Sequence, residues 1–408
     1  MTRNVTKICT IVAVAAIVAA GCGSSSPGLT SAGGHNYTVG VLTDVTGVSS
    51  SSNKTTVQGV EAGVKLASRD GYTLHYVVGD TTSSPSGALA AAKQLVQQNH
   101  VSAVIAVSTF TFAAASYLTS QGVPVIGVAE DGPEWITSTN MFSTYGATNT
   151  AKVGTTLGKF FKLAGTTVLG TVGYGISPAA SEAAKAAAAS AQAAGLRVGY
   201  LNSSFPLGGT NAQPVALAMK QNGVNGFTGS LEPNTSFAII SALRQVGVNL
   251  KAAVLPTGYG GDILQAGPGA IQAGQGVYFY TSFQPVEMHT AATKQFQGDL
   301  KTIGITTDPT YGEYAGYTSV AMLMDGLKAA GSNTSQSSLI QALNGLKQFN
   351  AAGLLGSHTL APGDRTSAPL GPGGCIYFAK LAGTGFKLVP GADPLCGSII
   401  PGITESPS

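Results

Sequence analysis

Short apolar runs rich in β-branched residues recur along this chain, each followed by a helix-forming stretch, and this alternation constrains the fold more than any other feature. In the first third the strand-like runs are YTVGVLTD (Tyr37 to Asp44), LHYVVGD (Leu74 to Asp80), VSAVIAVS (Val101 to Ser108) and PVIGVAE (Pro124 to Glu130). Between them lie QGVEAGVKLAS (Gln58 to Ser68), PSGALAAAKQLVQQN from Pro85, and a helix through Ala113 to Ser120. Strands that are apolar on both faces must be covered on both faces, which a parallel sheet with crossover helices achieves. Ser84 is placed to cap the helix that Pro85 opens, since a hydroxyl accepts an orphan N–H there and proline needs no donor.

A second series with the same rhythm begins after Asn149. It reads as a helix to Leu163, TVLGTVGY (Thr167 to Tyr174), an Ala-rich helix opened by Ser177-Pro178, and RVGYLNSSF (Arg197 to Phe205). A helix around Pro214 to Gln221, the strand Gly226 to Leu231, a helix from Thr235 to Val246 and the strand Leu250 to Pro256 complete it. Two doubly wound, Rossmann-like α/β lobes are the economical reading. The remainder reads as a strand over Gly276 to Phe283 and helices near Thr290 to Ile303, Gly316 to Ala330 and Ser335 to Phe349. Two β-like runs follow, Gly353 to Leu360 and Ile376 to Val389.

The N-terminus speaks to compartment. Arg3 and Lys7 precede the uncharged run Ile8 to Ala20, which is too short for a permanent membrane span and suits the apolar core of a signal peptide. Ala19-Ala20-Gly21 then leads into Cys22, a sequence that resembles the bacterial lipobox, with Ala19 where that motif most often has Leu. Residues 1–21 are thus expected to be a leader and Cys22 to carry lipid, against ordinary A-x-A-type cleavage with Cys22 a bystander. Residues 22–35 form a Gly/Ser-rich tether. The expected place is the extracytoplasmic face of the cell membrane. Without Arg3 and Lys7 the formal charge falls from +3 to +1, and no basic patch argues for nucleic acid. Cys375 and Cys396, both late in the chain, are expected to pair as a disulfide in an exported protein, the alternative being two free thiols.

Catalytic chemistry finds no support. His35, His75, His100, His289 and His358 are dispersed, and none pairs with Cys or carboxylate at metal spacing. No strand is followed by a G-x-S-x-G elbow, a P-loop or G-x-G-x-x-G, and the GYGG of Gly258 to Gly261 has no following lysine to make a phosphate cradle. The chain is expected to be no enzyme and to use neither metal nor cofactor.

Open α/β sheets bind ligands beyond the carboxyl ends of their strands. Those ends are Thr43-Asp44, Ser108-Thr109 and Ala129-Glu130-Asp131 in the first lobe, and Tyr174 to Ser177, Leu231-Glu232 and Thr257 to Tyr259 in the second. Asp131 reads equally as a cap for the helix beginning at Pro133 and as a ligand contact. Glu232 reads first as a solvated loop charge. Tyr259, Tyr311, Tyr314 and Tyr317 face either a hinge or the core, and Trp135 either walls the cleft or packs beneath its loop.

VGVLTDVTGVSS followed by QGVEAGVKLA, then VVGDTTSSPSGALAAAKQLVQQNHVSAVIAVST, QGVPVIGVAEDGPEWI, LRQVGV and EYAGYTSVAMLMDGLKAAG stand in a telling order. Taken together they resemble the type I periplasmic binding proteins of the branched-chain amino acid (Leu/Ile/Val) receptor family, from about Tyr37 to about Val389. The resemblance implies two lobes, 36–145 plus 284–349 and 146–283 plus 350–395, with a tail over 396–408. Three crossings would join them, near Phe142 to Thr148, Tyr280 to Gln284 and Phe349 to Gly356. It implies a monomer that closes on a small solute in its cleft and delivers it to the permease subunits of an ABC importer. A ligand-sensing lipoprotein that signals through a membrane partner is the alternative.

Carried over residue by residue, the resemblance makes Ser108 or Thr109 and the backbone at Ala129 the anchor for an amino acid's carboxylate. Asp131 stands where the family usually has Thr or Ser. The family's ammonium-binding acid falls at or beside Thr257, which is not acidic. Its cleft aromatics fall at Ser52 and at Ser177 or Pro178, and another family tyrosine at Glu232 or Pro233. The expected ligand contacts are Ser108, Thr109, Ala129, Asp131, Tyr174, Glu232, Thr257, Tyr259 and Tyr311. A ligand ammonium would find its partner in Asp131 or Glu232. A free carboxylate beside Asp131 would meet repulsion, with no Arg or Lys on the cleft loops to offset it. An amine-bearing, amide or polyhydroxylated solute is therefore expected before simple Leu, Ile or Val.

Overall fold

Five parallel strands form the first sheet of the computed structural model, which describes residues 35–146, 149, 152–209, 211–366, 371 and 374–402. They are β1 (His35–Thr43), β2 (Tyr72–Asp80), β3 (Ala103–Val107), β4 (Val125–Gly127) and β5 (Met141–Ser143), in the spatial order β2-β1-β3-β4-β5. The second sheet holds β6 (Val168–Tyr174), β7 (Arg197–Phe205), β8 (Gly226–Ser230), β9 (Ala252–Leu255), β10 (Tyr278–Thr281), β11 (Cys375–Ala382), β12 (Gly385–Leu388) and β13 (Leu395–Cys396). Its order is β12-β11-β10-β9-β8-β6-β7, with β13 on β11. The strands β7-β6-β8-β9-β10 run parallel, while β11 and β12 form an antiparallel hairpin on that edge. This is the type I periplasmic-binding-protein architecture of two α/β lobes. The leader, Cys22 and the tether lie outside the described residues. Among the described residues no helix is long and apolar enough to cross a membrane.

Local chemistry acts as the sequence suggests at both helix starts. Ser84 Oγ accepts the Gly87 N–H at 3.0 Å and Ser177 Oγ accepts that of Ala180 at 3.2 Å, each with proline next. The late helices Ala291–Thr302, Tyr311–Ala330 and Gln336–Gly345 return to the first lobe. Helix Tyr311–Ala330 starts earlier than the Gly316 read from sequence, because Thr310 and Glu313 form a capping box. It lies directly on helix Thr56–Arg69 because glycines meet at the crossing. A Cβ on Gly59 would stand 2.3 Å from the Glu313 carbonyl oxygen, and one on Gly316 2.3 Å from that of Thr56. Arg69 fixes the neighbouring helix through two bonds to Asp299 of 2.7 and 2.6 Å, and Tyr317 donates to the same carboxylate at 2.7 Å.

The chain passes between the sheets three times: after β5, after β10 and before β11. The second and third passages are tied by Gln284 N–H to the Leu354 carbonyl at 2.8 Å. The first includes residues 147, 148, 150 and 151, outside the described set. The run Gly353 to Leu360 is not a strand. A 3-10 turn over Ala351–Gly353 bends it, and only Phe349 and Leu360 pair across it. Cys375 and Cys396 are joined by a disulfide where β11 meets β13.

Candidate functional site

The carboxyl ends of both sheets face each other across a cavity of about 230 Å³, many times the ~30 Å³ share of one water. Asp44, just past β1, organises the first-lobe side without lining it. Buried completely, it accepts from Asn53 Nδ2 (2.9 Å), Ser108 Oγ (2.6 Å), the Thr109 N–H (3.0 Å) and Thr81 Oγ1. The charge is thus spread over four neutral donors that hold three loops in register.

Two other carboxylates line the cavity, one from each lobe. Glu130, past β4, accepts from Asn53 Nδ2 at 3.0 Å and from the Tyr311 hydroxyl at 2.7 Å. Glu232, past β8, reaches the first lobe, where Ser52 Oγ donates to it, joined by Ser51 Oγ at 3.2 Å and Thr109 Oγ1 at 3.5 Å. Burial pushes Glu130 up to about 7, with the charge of Asp44 adding to it and the Tyr311 hydrogen bond opposing. Burial likewise pushes Glu232 up to about 8, and the charges of Glu130 and Asp44 act in the same direction. No lysine or arginine is among the described residues of the lining.

Aromatic and small side chains complete the wall. Tyr174 donates to Thr235 Oγ1 at 2.8 Å and accepts the Glu232 N–H at 3.2 Å, which fixes that acid's backbone. Thr257 Oγ1 donates to the Leu231 carbonyl at 3.0 Å. The Tyr259 hydroxyl donates to Glu287 and accepts the Val286 N–H at 3.1 Å. Tyr145, Tyr280 and Tyr314 add further rings.

The lobes also touch around the cavity's rim. The Asp131 carbonyl accepts from the Ala179 N–H at 3.0 Å and from Ser177 Oγ at 3.2 Å. On another side the Tyr311 N–H donates to Asp262 at 3.0 Å and the Gly261 N–H to the Pro309 carbonyl at 3.1 Å. These bonds describe a closed clamp.

Of the residues expected from sequence, Thr109, Ala129, Tyr174, Glu232, Thr257, Tyr259 and Tyr311 line this one cavity. Ser108 and Asp131 do not. Ser108 is spent on Asp44 and on the Phe110 N–H. The Asp131 carboxylate turns into the first lobe, taking the Phe112 N–H at 2.5 Å and the Trp135 indole N–H at 2.9 Å. It does not cap the helix after Pro133, since the short helix Glu134–Thr137 has no side-chain cap; the Phe112 N–H it takes lies instead in the first turn of helix Thr111–Ser120. Trp135 packs beneath the loop, 2% exposed. Glu232 is no solvated loop charge: it is 7% exposed and bridges the lobes. Sequence reasoning puts Glu130 at a strand end without choosing it as a contact, sets Tyr145 and Tyr280 only in the crossings, and passes over Asn53. The first shares its strand end with Asp131, and the choice between two neighbouring acids depends on which one the turn aims inward.

Solved structures with this fold include a leucine-binding protein from Thermotoga maritima, 16% identical over 89% of this chain and 98% of that one, with a TM-score of 0.70. A solute-binding protein of an ABC transporter from R. palustris, in complex with 4-hydroxybenzoate, is 18% identical over 87% of this chain and 96% of the other, at TM-score 0.69. A branched-chain amino acid transporter substrate-binding protein from Streptococcus pneumoniae, in complex with isoleucine, is 19% identical over 87% and 99% of the two chains, also at 0.69. Comparison with curated protein sequences finds no match. Residues 36–385 match the family model described as Periplasmic binding protein, and the chain belongs to that family, one of binding proteins and not of enzymes.

Proposed function

We propose that this chain is the extracytoplasmic solute-binding lipoprotein of an ABC importer, tethered through Cys22, capturing a small solute between its lobes and presenting it to the permease. The supporting observation is the cavity between the lobes, built from strand ends of both sheets and flanked by lobe-to-lobe hydrogen bonds. A ligand touching both walls stabilises the closed form over the open one, which is the differential affinity a clamp needs. The moving bodies are 36–145 with 284–349 and 146–283 with 350–395. Thr109, Ala129, Tyr174, Glu232, Thr257, Tyr259 and Tyr311 are the ligand contacts, joined by Glu130 and Tyr280. Structures with this fold bind leucine, isoleucine and 4-hydroxybenzoate, which supports a compact organic molecule as the solute.

The test is native mass spectrometry of the full-length chain purified from producing cells, with X-ray scattering before and after addition of whatever solute co-purifies. A bound small molecule and a smaller radius of gyration on its return are expected. A chain free of any solute, whose scattering no added compound alters, refutes the proposal.

A further inference from the structure

We infer that the cleft selects a small organic cation without a carboxylate, an amine or alkylammonium ion held between Glu130 of one lobe and Glu232 of the other. The inference rests on the solute-binding reading above and narrows its ligand.

Charge comes first. Glu130 and Glu232 line the cavity, and every hydrogen bond the structure gives them comes from a neutral donor: Asn53 and Tyr311 for one, Ser51, Ser52 and Thr109 for the other. Neutral donors satisfy lone pairs but cancel no charge. Asp44 adds a third negative group just behind the wall, and the described lining offers no basic side chain. Burying ionised acids between closing lobes is costly without an opposite charge, and the site is hostile to an anion. A cation supplies the missing opposite charge to both lobes at once.

The donors that a carboxylate needs are committed elsewhere, which is an independent observation. At the positions the resemblance marks as the carboxylate anchor, Ser108 Oγ donates to Asp44 at 2.6 Å and the Thr109 N–H donates to Asp44 at 3.0 Å. Thr109 Oγ1 points at Glu232. The protein's own Asp44 carboxylate thus occupies the donors that would otherwise receive the ligand's. The tyrosines fit the same reading, since aromatic rings tolerate and attract ammonium groups while accommodating an apolar tail.

The experiment uses the full-length chain in detergent at pH 8 and matched probes: 3-methylbutylamine against leucine, benzylamine against benzoate, and choline against glycine betaine. Calorimetry is expected to show at least one cation binding tenfold or more tighter than its carboxylate-bearing counterpart. Glu130→Gln and Glu232→Gln should each weaken that cation at least tenfold while circular dichroism stays unchanged. Binding of none of the cations overturns the inference, as does equal binding of a counterpart or indifference to both substitutions. A carboxylate that binds and compacts the chain sinks the cation inference yet leaves the solute-binding reading standing. Only a chain that responds to no probe and carries no co-purified solute loses both.

Discussion

Replacing Glu232 with Gln should change how closure of the empty clamp depends on pH. In the closed form burial lifts Glu232 from 4.5 to about 8 and Glu130 from 4.5 to about 7. In an opened cleft both carboxyls face water and return to their ordinary range. Between those limits the closed form therefore holds protons that the open form has released, so raising the pH favours opening. Each linked proton changes the closing equilibrium about tenfold per pH unit, or about 1.4 kcal/mol. From about pH 5 to 7 both acids contribute, and closure weakens by up to about a hundredfold per unit. From 7 to 8 Glu232 alone of the pair contributes, and above 8 their share flattens. Burial also raises Asp262, which takes the Tyr311 N–H across the lobes, and Glu287, which takes the Tyr259 hydroxyl; both add to the slope with the same sign and do so equally in the wild type and in a Glu232 variant. Ser51, Ser52, Thr109 and Asn53 do not titrate here, and burial holds Tyr311 far above its ordinary range and so protonated. Glu232→Gln keeps an acceptor for Ser52 but removes one linked proton, so up to about pH 8 its closure should fall about tenfold less per pH unit than that of the unaltered protein. A dye pair, one fluorophore on each lobe, reads the closed fraction by energy transfer as pH is stepped from 5 to 9. Superimposable curves for the two proteins, or closure that strengthens with rising pH, would refute the reasoning.

Two further outcomes separate structural from functional roles. Asp131→Ala strands the Phe112 and Trp135 N–H groups in the interior, so thermal unfolding should drop by a few degrees, roughly 2 to 3 kcal/mol. Solute affinity should change less than threefold, and a large loss of affinity at unchanged stability returns Asp131 to the cleft. Cys22→Ser should release the chain from membranes into the soluble fraction, read by fractionation of producing cells, and unchanged retention removes the lipid anchor from the proposal.

Most of the fold was legible because each lobe repeats a pattern that physics makes hard to satisfy otherwise. Runs such as Ala103–Val107, buried at all five positions, belong in the middle of a parallel sheet, and the Ser-Pro pairs at 84–85 and 177–178 mark helix starts by their own chemistry. What escaped was short or set by packing. β5 is three residues long, too few for a period to register. The run Gly353 to Leu360 has a strand's composition, yet Ala351 and Ala352 adopt positive φ and turn it aside. A dihedral forced by tertiary contacts leaves no trace in local propensity.

The site was legible as a place but not as a chemistry, and the reason lies in Glu130 and Asp131. Both sit past β4, both are acidic, and the strand is too short for its alternation to fix which one faces the cleft. The structure decides it through partners that only the fold supplies. Trp135, four residues on, brings its indole N–H back to Asp131, while Asn53 and Tyr311 arrive from distant segments to receive Glu130. Likewise Glu232 looked solvated because nothing near it in sequence is its partner; Ser52 stands 180 positions away in the other lobe. A side chain whose hydrogen bonds form only when two lobes meet reports on closure, and that dependence is what makes it useful to a clamp. The same geometry that hid these acids from sequence reasoning places opposing negative charge on both jaws, so the empty form resists ionised closure and a bound cation removes the resistance.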